Sequence, residues 1–331
     1  MEHRLQLKKQ VVNDVAKITK KANVCIHEVL RHFNIMGYIQ SGCFGDVYGM
    51  GVGKDLKYTS KTYTKATKAR RIPKFVMKVS YKSRLNLLEV NNLKYVLSKI
   101  HKQTPHVPFY YKHFICNNAL FKGSHKDGVA KSNEDWTYVK KGKAVITMME
   151  YVGKSMDGFL KTNKNPVTEL VMLFQLLYTI HVMQKHDIIH GDIHNIPNMT
   201  TMNAGSDANK KWEYKIDGVS YMVPVGAHIP ILIDFGLVKI GQTNVKNKYS
   251  SDAYSLLKTW RNHTSFESVR EFITPILDSI IPQNDRSQIL PRYTKTDNII
   301  NDFFGMFLKP ANSVNIQAPD RVWNASSPRT N

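Results

Sequence analysis

Two short stretches of this chain carry acids where chemistry could happen. Ile188-Ile-His-Gly-Asp-Ile-His-Asn-Ile-Pro-Asn198 delivers Asp192 from an apolar run onto a tight loop. Ile231-Leu-Ile-Asp-Phe-Gly-Leu237 delivers Asp234 from a second apolar run onto a Phe-Gly turn. Two carboxylates carried this way suit transfer of a phosphoryl group from a nucleoside triphosphate to a hydroxyl. One accepts the hydroxyl proton and the other holds magnesium. A D-F-G tripeptide also arises by chance, so the weight rests on the pair, on its order, and on the elements upstream.

Those elements are legible in outline. Gln40-Ser-Gly-Cys-Phe-Gly-Asp-Val47 reads as strand-turn-strand, with Gly42 and Gly45 where a backbone could approach phosphates closely; an ordinary hairpin reads the same way. Phe75-Val-Met-Lys-Val79 is an apolar strand with one lysine inside it, 33 residues past Gly45. Leu88-Glu-Val-Asn-Asn-Leu-Lys94 reads as helix, and Glu89 is the only acid between Lys78 and Asp127, so a partner for Lys78 is nearly forced. Val145-Ile-Thr-Met-Met-Glu-Tyr-Val152 is a further apolar strand. Asn165-Pro166 opens a helix, Asn as N-cap and Pro in the first turn, and Leu170, Leu173, Phe174, Leu177 and Ile180 recur at helical spacing as core packing. Lys211 to Pro224 predicts a hairpin turning at Asp217-Gly218.

The order of these segments resembles the eukaryotic-like serine/threonine protein kinase superfamily. The Lys211–Pro224 phrase followed by His228-Ile-Pro-Ile-Leu-Ile-Asp-Phe-Gly resembles kinases of nucleocytoplasmic large DNA viruses: the iridovirus, asfarvirus and mimivirus type, and more distantly the poxvirus virion kinase. The resemblance covers about residues 36–260. It implies an α+β, bilobal protein-kinase-like fold with a small β-rich N-lobe and a mainly helical C-lobe. Residues 1–35 would be a helical extension, 36–150 the N-lobe with basic insertions, and 151–331 the C-lobe. ATP and Mg2+ are the implied cofactors. Asp192, His194 and Lys78 take the catalytic positions; Gly42, Gly45, Val47, Lys78, Glu89, Met149, Glu150 and Val152 take the nucleotide-binding ones; Asn198 and Asp234 take the metal.

The match departs from the kinase pattern H-R-D-L-K-x-x-N in three ways. Gly191 replaces the arginine that anchors an activation-loop phosphate, which implies constitutive activity. His194 stands where lysine normally meets the transferred phosphate, a form resembling aminoglycoside-kinase-like enzymes. The position five residues after Asp192 is Pro197, so the metal-binding asparagine is assigned to Asn198 with a one-residue bulge, Asn195 being the alternative. The segment from Asp234 to Asp252 is only 18 residues long and holds no A-P-E motif. Asp252 matches the aspartate that braces the catalytic-loop backbone.

Composition bounds these readings. A chain of 331 residues, 42% hydrophobic, can bury a large core. No run of 18 apolar residues predicts a membrane span, and the N-terminus lacks an apolar signal core. Cys25, Cys43 and Cys116 show neither metal spacing nor a disulfide framework, which predicts an intracellular, reducing location: host cytoplasm or virion. The net charge is +21, crowded between Lys54 and Lys74 and between Lys122 and Lys143. Such insertions suit an acidic protein or nucleic acid, and equally a solvated loop near a nucleotide. Residues 5–33 read as mainly helical, with Val11, Val12, Val15 and Ile18 as an apolar stripe. Val269–Ile281, interrupted at Pro275, and Asn298–Leu308 read as helices without legible chemistry. The leading function is a protein kinase acting on Ser/Thr hydroxyls. The alternatives are a small-molecule phosphotransferase of H-G-D-x-H type, and a pseudokinase or basic virion packaging protein.

Overall fold

The computed structural model describes residues 2–18, 29, 32–42, 45–52, 73–81, 83–122, 139–241, 251–282, 287–309 and 321–325. Cys25, Cys43, most of both basic insertions, and residues 242–250 of the segment after Asp234 lie outside the described residues. The chain is a mixed α/β protein that divides into a β-rich unit, residues 1–94 with 109–151, and a helix-rich unit, residues 95–108 with 152–331.

The β-rich unit is built on one antiparallel sheet. Its strands are β1 (Phe33–Gly42), β2 (Gly45–Val52), β3 (Phe75–Tyr81), β4 (Tyr110–Lys122) and β5 (Val139–Glu150), in the order β1-β2-β3-β5-β4. Successive side chains on a strand point to opposite faces, and this alternation sorts the sheet. Phe75, Met77 and Val79 of β3 and Ile146 and Met148 of β5 are buried on one face. They share a single apolar cluster with Val11, Val15 and Ile18 of the N-terminal helix α1 (Glu2–Ile18). Val12, the other member of the predicted stripe, is exposed. The opposite face carries Val47, Lys78 and Thr147, which sit side by side across β2, β3 and β5. Helix α2 (Arg84–Ile100) presents Glu89 to Lys78.

In the helix-rich unit, β6 (Lys154–Ser155) and α3 (Met156–Thr162) lead to α4 (Pro166–Lys185). The Asn165 side chain accepts the Val167 N–H at 2.9 Å, the cap predicted from sequence. Every side chain of α4 from Val171 to Met183 is buried. The helix is long and apolar enough to cross a membrane by length and composition alone, but 78% of that apolar window is buried within the protein, as in a core helix. Phe174 packs against Tyr214, Tyr221, Phe304 and Phe307.

The chain then forms β7 (Ile188–Ile189), β8 (Met199–Asn203), β9 (Lys211–Ile216), β10 (Val219–Pro224), β11 (His228–Leu232) and β12 (Lys239–Ile240). The β9–β10 hairpin turns at Asp217 (φ 47°) and Gly218 (φ 89°), the predicted position. Helices α5 (Asp252–His263), α6 (Glu267–Ile280) and α7 (Thr296–Phe303) follow, and β13 (Arg321–Asn324) adds to β9 in parallel.

Four local expectations need correction. Phe33, within the stretch read as mainly helical, belongs to β1 and packs in the same apolar cluster as Phe75 and the α1 stripe. Pro275 does not interrupt α6: it faces solvent, where a freed carbonyl can meet water, while Val269, Ile273, Ile276, Leu277 and Ile280 keep one buried stripe. The last predicted helix stops at Phe303 and passes into a 3₁₀ turn over Gly305–Phe307. Cys116, buried on β4, is disulfide-bonded, which corrects the reading of three cysteines without a disulfide.

Candidate active site

The loop that bears Asp192 is held almost entirely through its backbone. Ile188 and Ile189 pair with Ile240 and Lys239, tying the strand that enters the loop to the chain that leaves Asp234. Asp252, at the start of α5, grips the loop from below. Its Oδ2 accepts the His190 N–H at 2.6 Å and its Oδ1 accepts the Gly191 N–H at 3.0 Å. Burial pushes the Asp252 carboxyl pKa up, opposed by His190 and by these two N–H groups. The Thr259 hydroxyl of α5 donates to the His194 carbonyl at 3.3 Å. Gly191 has φ 80°, and a Cβ there would lie 2.8 Å from the Leu237 carbonyl oxygen. An arginine cannot simply replace it: the departure from the kinase pattern changes the backbone as well as the charge.

His190 joins the two acid-bearing loops. Its ring is fully buried against Phe235, with centroids 5.2 Å apart. Nε2 donates to the Ile233 carbonyl at 3.0 Å, and Nδ1 accepts the Asp192 N–H at 3.3 Å. Both bonds together require the neutral ring protonated on Nε2. Burial holds its pKa below the usual 6.5, with Asp252 the main opposing influence. A second link runs from the Ile233 N–H to the Asn198 carbonyl at 2.8 Å.

Asn198 fixes Asp192. Its Nδ2 donates to Asp192 Oδ2 at 2.7 Å and to the Asp192 carbonyl at 3.0 Å. With the amide nitrogen committed there, Oδ1 is the side chain's acceptor for a cation. Asn198 is buried, whereas Asn195 is exposed and makes no side-chain cap. His194 is exposed, with Nε2 3.4 Å from Asp192 Oδ1. Asp234 has φ 64°, uncommon for a non-glycine residue and a conformation that clusters at functional sites. Its Oδ1 accepts the Gly236 N–H at 3.3 Å. Among the described residues no group of three or more His, Cys, Asp or Glu could hold a metal. A cation here would have Asp234 and the Asn198 oxygen, a hard oxygen pair suited to magnesium that keeps water or phosphate as its remaining ligands.

In the β-rich unit, Lys78 pairs with Glu89, and both side chains are largely buried. Val47 lies opposite Lys78 in the ladder, and Met149, half-buried, shares their face two residues beyond Thr147. Gly42 pairs with Gly45 at the end of β1 and β2; residues 43–44 lie outside the described residues. Val152 is buried at the start of the helix-rich unit. The neighbouring Gly153 has φ 85°, and a Cβ there would sit 2.0 Å from the Thr201 carbonyl oxygen.

Over 242 residues the chain is 26% identical to "Probable serine/threonine-protein kinase 380R" of Invertebrate iridescent virus 6. The chain is similar to a viral protein kinase. The match takes in 69% of this chain but 41% of that protein, so the chain spans about two fifths of its relative's length. No family profile matches. The similarity supports a kinase-like relationship to proteins of large DNA viruses.

Two participants escaped the sequence reading. His190 was read only as part of the motif, although a histidine following two buried isoleucines signals a ring needing internal partners. Arg4, whose guanidinium meets Glu150, had no signal: 146 residues separate the pair.

Proposed function

We propose that this chain is an ATP- and Mg2+-dependent kinase that transfers the γ-phosphoryl group to a serine or threonine hydroxyl of a protein. The observation that carries the reading is the double hydrogen bond from Asn198 Nδ2 to Asp192, which ties the asparagine and the carboxylate together in one loop. Asp192 orients the substrate hydroxyl and accepts its proton. Lys78, kept in place by Glu89, meets the α- and β-phosphates beneath the strand pair ending at Gly42 and Gly45. His194 donates a hydrogen bond to the group in transfer. Asn198 and Asp234 hold magnesium, which when bound neutralises charge developing on the phosphates. Met149 and the backbone of Glu150–Val152 receive the adenine.

Radiolabelled ATP offered with casein, with a peptide library and with hydroxyl metabolites tests this directly. Label on protein serine or threonine is expected. Label only on metabolites replaces protein with a small-molecule acceptor, and no magnesium-dependent transfer to any of them sinks the reading.

A further inference from the structure

The face of the sheet that α1 covers ends in a buried ion pair. Arg4 Nε and Nη2 donate to Glu150 Oε1 and Oε2, each at 2.7 Å. The side chains are 6% and 3% exposed. Glu150 Oε2 also accepts the Phe109 N–H at 3.0 Å, and the Glu150 N–H returns to the Phe109 carbonyl at 2.8 Å. The Arg4 guanidinium and the Lys8 ammonium, one helical turn apart on α1, lie over the Phe109 ring at 4.9 and 4.4 Å. Two cations, one carboxylate and one aromatic ring are thus gathered at the last residue of β5.

The location decides what this cluster can do. Met149 and Glu150 are consecutive on a strand, so their side chains point to opposite faces. Met149 shares its face with Lys78 and Val47, and Glu150 turns toward α1. A bidentate guanidinium–carboxylate pair fixes both the position and the plane of the acid. Holding the Glu150 carboxylate at two oxygens from behind therefore sets where its own backbone, and that of Tyr151, emerges from the sheet. Surface charge complementarity does not explain a pair buried this deeply, and apolar residues would have filled the space at lower desolvation cost.

We propose that Arg4 is a positioning residue for nucleotide binding: α1 holds the end of β5 in register through Glu150, so that backbone groups from Glu150 onward are preset to receive a nucleobase. This rests on the phosphotransfer reading for what the strand end binds. The N-terminal helix thereby becomes a part of the nucleotide site that touches no nucleotide.

The test compares full-length wild type with Arg4→Ala, Arg4→Lys and Val15→Ala. Mg·ADP affinity is read by titration calorimetry, KM for ATP and kcat by turnover, and amide hydrogen exchange over residues 149–152 by mass spectrometry. Arg4→Ala is expected to weaken Mg·ADP about tenfold and to raise KM for ATP in parallel, with kcat within about twofold. Exchange at 149–152 should rise. Arg4→Lys, which keeps the charge but not the fork, should fall between. Val15→Ala removes α1 packing without touching Glu150. It should lower Tm yet bind Mg·ADP like wild type. Should Arg4→Ala fail to fold, the Lys variant carries the comparison. Wild-type affinity in the folded Arg4 variants, or an equal loss in Val15→Ala, overturns the proposal. A wild type that binds no Mg·nucleotide sinks the phosphotransfer reading instead.

Discussion

The two halves of the candidate machinery are secured by different means. In the helix-rich unit the Asp192 loop is fixed by backbone groups. Asp252 takes two of its N–H groups, His190 bridges it to Ile233, and Asn198 returns a carbonyl to Ile233 while clamping Asp192. In the β-rich unit Lys78 pairs with the Glu89 side chain, so the position of α2 sets whether that contact exists. A loop held by many backbone bonds keeps its geometry when any one is lost. An ion pair between a strand lysine and a helix glutamate is made or lost as the helix moves. The acid-bearing loop is thus preorganised, and the Lys78–Glu89 pair is where a change in helix position could act.

The sharpest break in this comparison is at Asp192, the proposed general base. Asp192→Ala should cost on the order of 10²–10⁴ in kcat, the range of a lost general base, with Mg·ADP affinity retained. Lys78→Ala and Glu89→Ala should each lower kcat/KM, and the double variant should be little worse than Lys78→Ala alone, because the glutamate acts only through the lysine. A double variant showing the summed loss would mean that Glu89 has a separate role. Both are read by steady-state kinetics on one protein substrate.

Next in size come the asparagines. Asn198→Ala should cost about 1.5–3 kcal/mol of transition-state stabilisation, the worth of a hydrogen bond to a charged partner, and should raise the Mg2+ concentration for half-maximal activity. Asn195→Ala should be nearly silent, since its exposed side chain caps nothing. The reverse ranking would move the metal ligand to Asn195. Gly153→Ala should lower stability by about 1–3 kcal/mol in a denaturant titration, because the Thr201 carbonyl occupies the space of a Cβ and φ is positive.

How far the sequence reached follows the same division. Features fixed by local chemistry were legible: the Asn165 cap, the Asp217-Gly218 turn and the helical core packing of α4. Each depends on a residue type and its near neighbours. The long-range features were not legible. Arg4 meets Glu150 across the whole β-rich unit, and β13 joins β9 after a separation of about a hundred residues. Helical periodicity cannot announce either, since neither partner's local pattern changes with the contact. The strain that excludes arginine at 191 lay similarly out of view. It arises from the Leu237 carbonyl, which only the ladder of β7 with β12 brings close.

The smallest expected effect concerns the bridge at His190 and shows how tightly the two acid loops are coupled. Its folded pKa lies below the usual 6.5, so as pH falls the unfolded chain takes up the proton first. The stabilisation from a neutral buried ring is complete above 6.5 and is lost as pH drops through that value toward the folded pKa. Within that window one proton accounts for about 1.4 kcal/mol per pH unit. Protonation would also set an N–H on Nδ1 against the N–H of Asp192, so the loops should loosen together. His181, His186 and His228 in the same unit are likewise lowered by burial and contribute to the same slope. The informative quantity is therefore the difference between wild type and His190→Gln, measured by denaturant titration between pH 5.5 and 7.5. A shallower slope in the variant is expected. Equal slopes would mean that His190 keeps one charge state throughout, and that the link between Asp192 and Ile233 does not depend on the neutral ring.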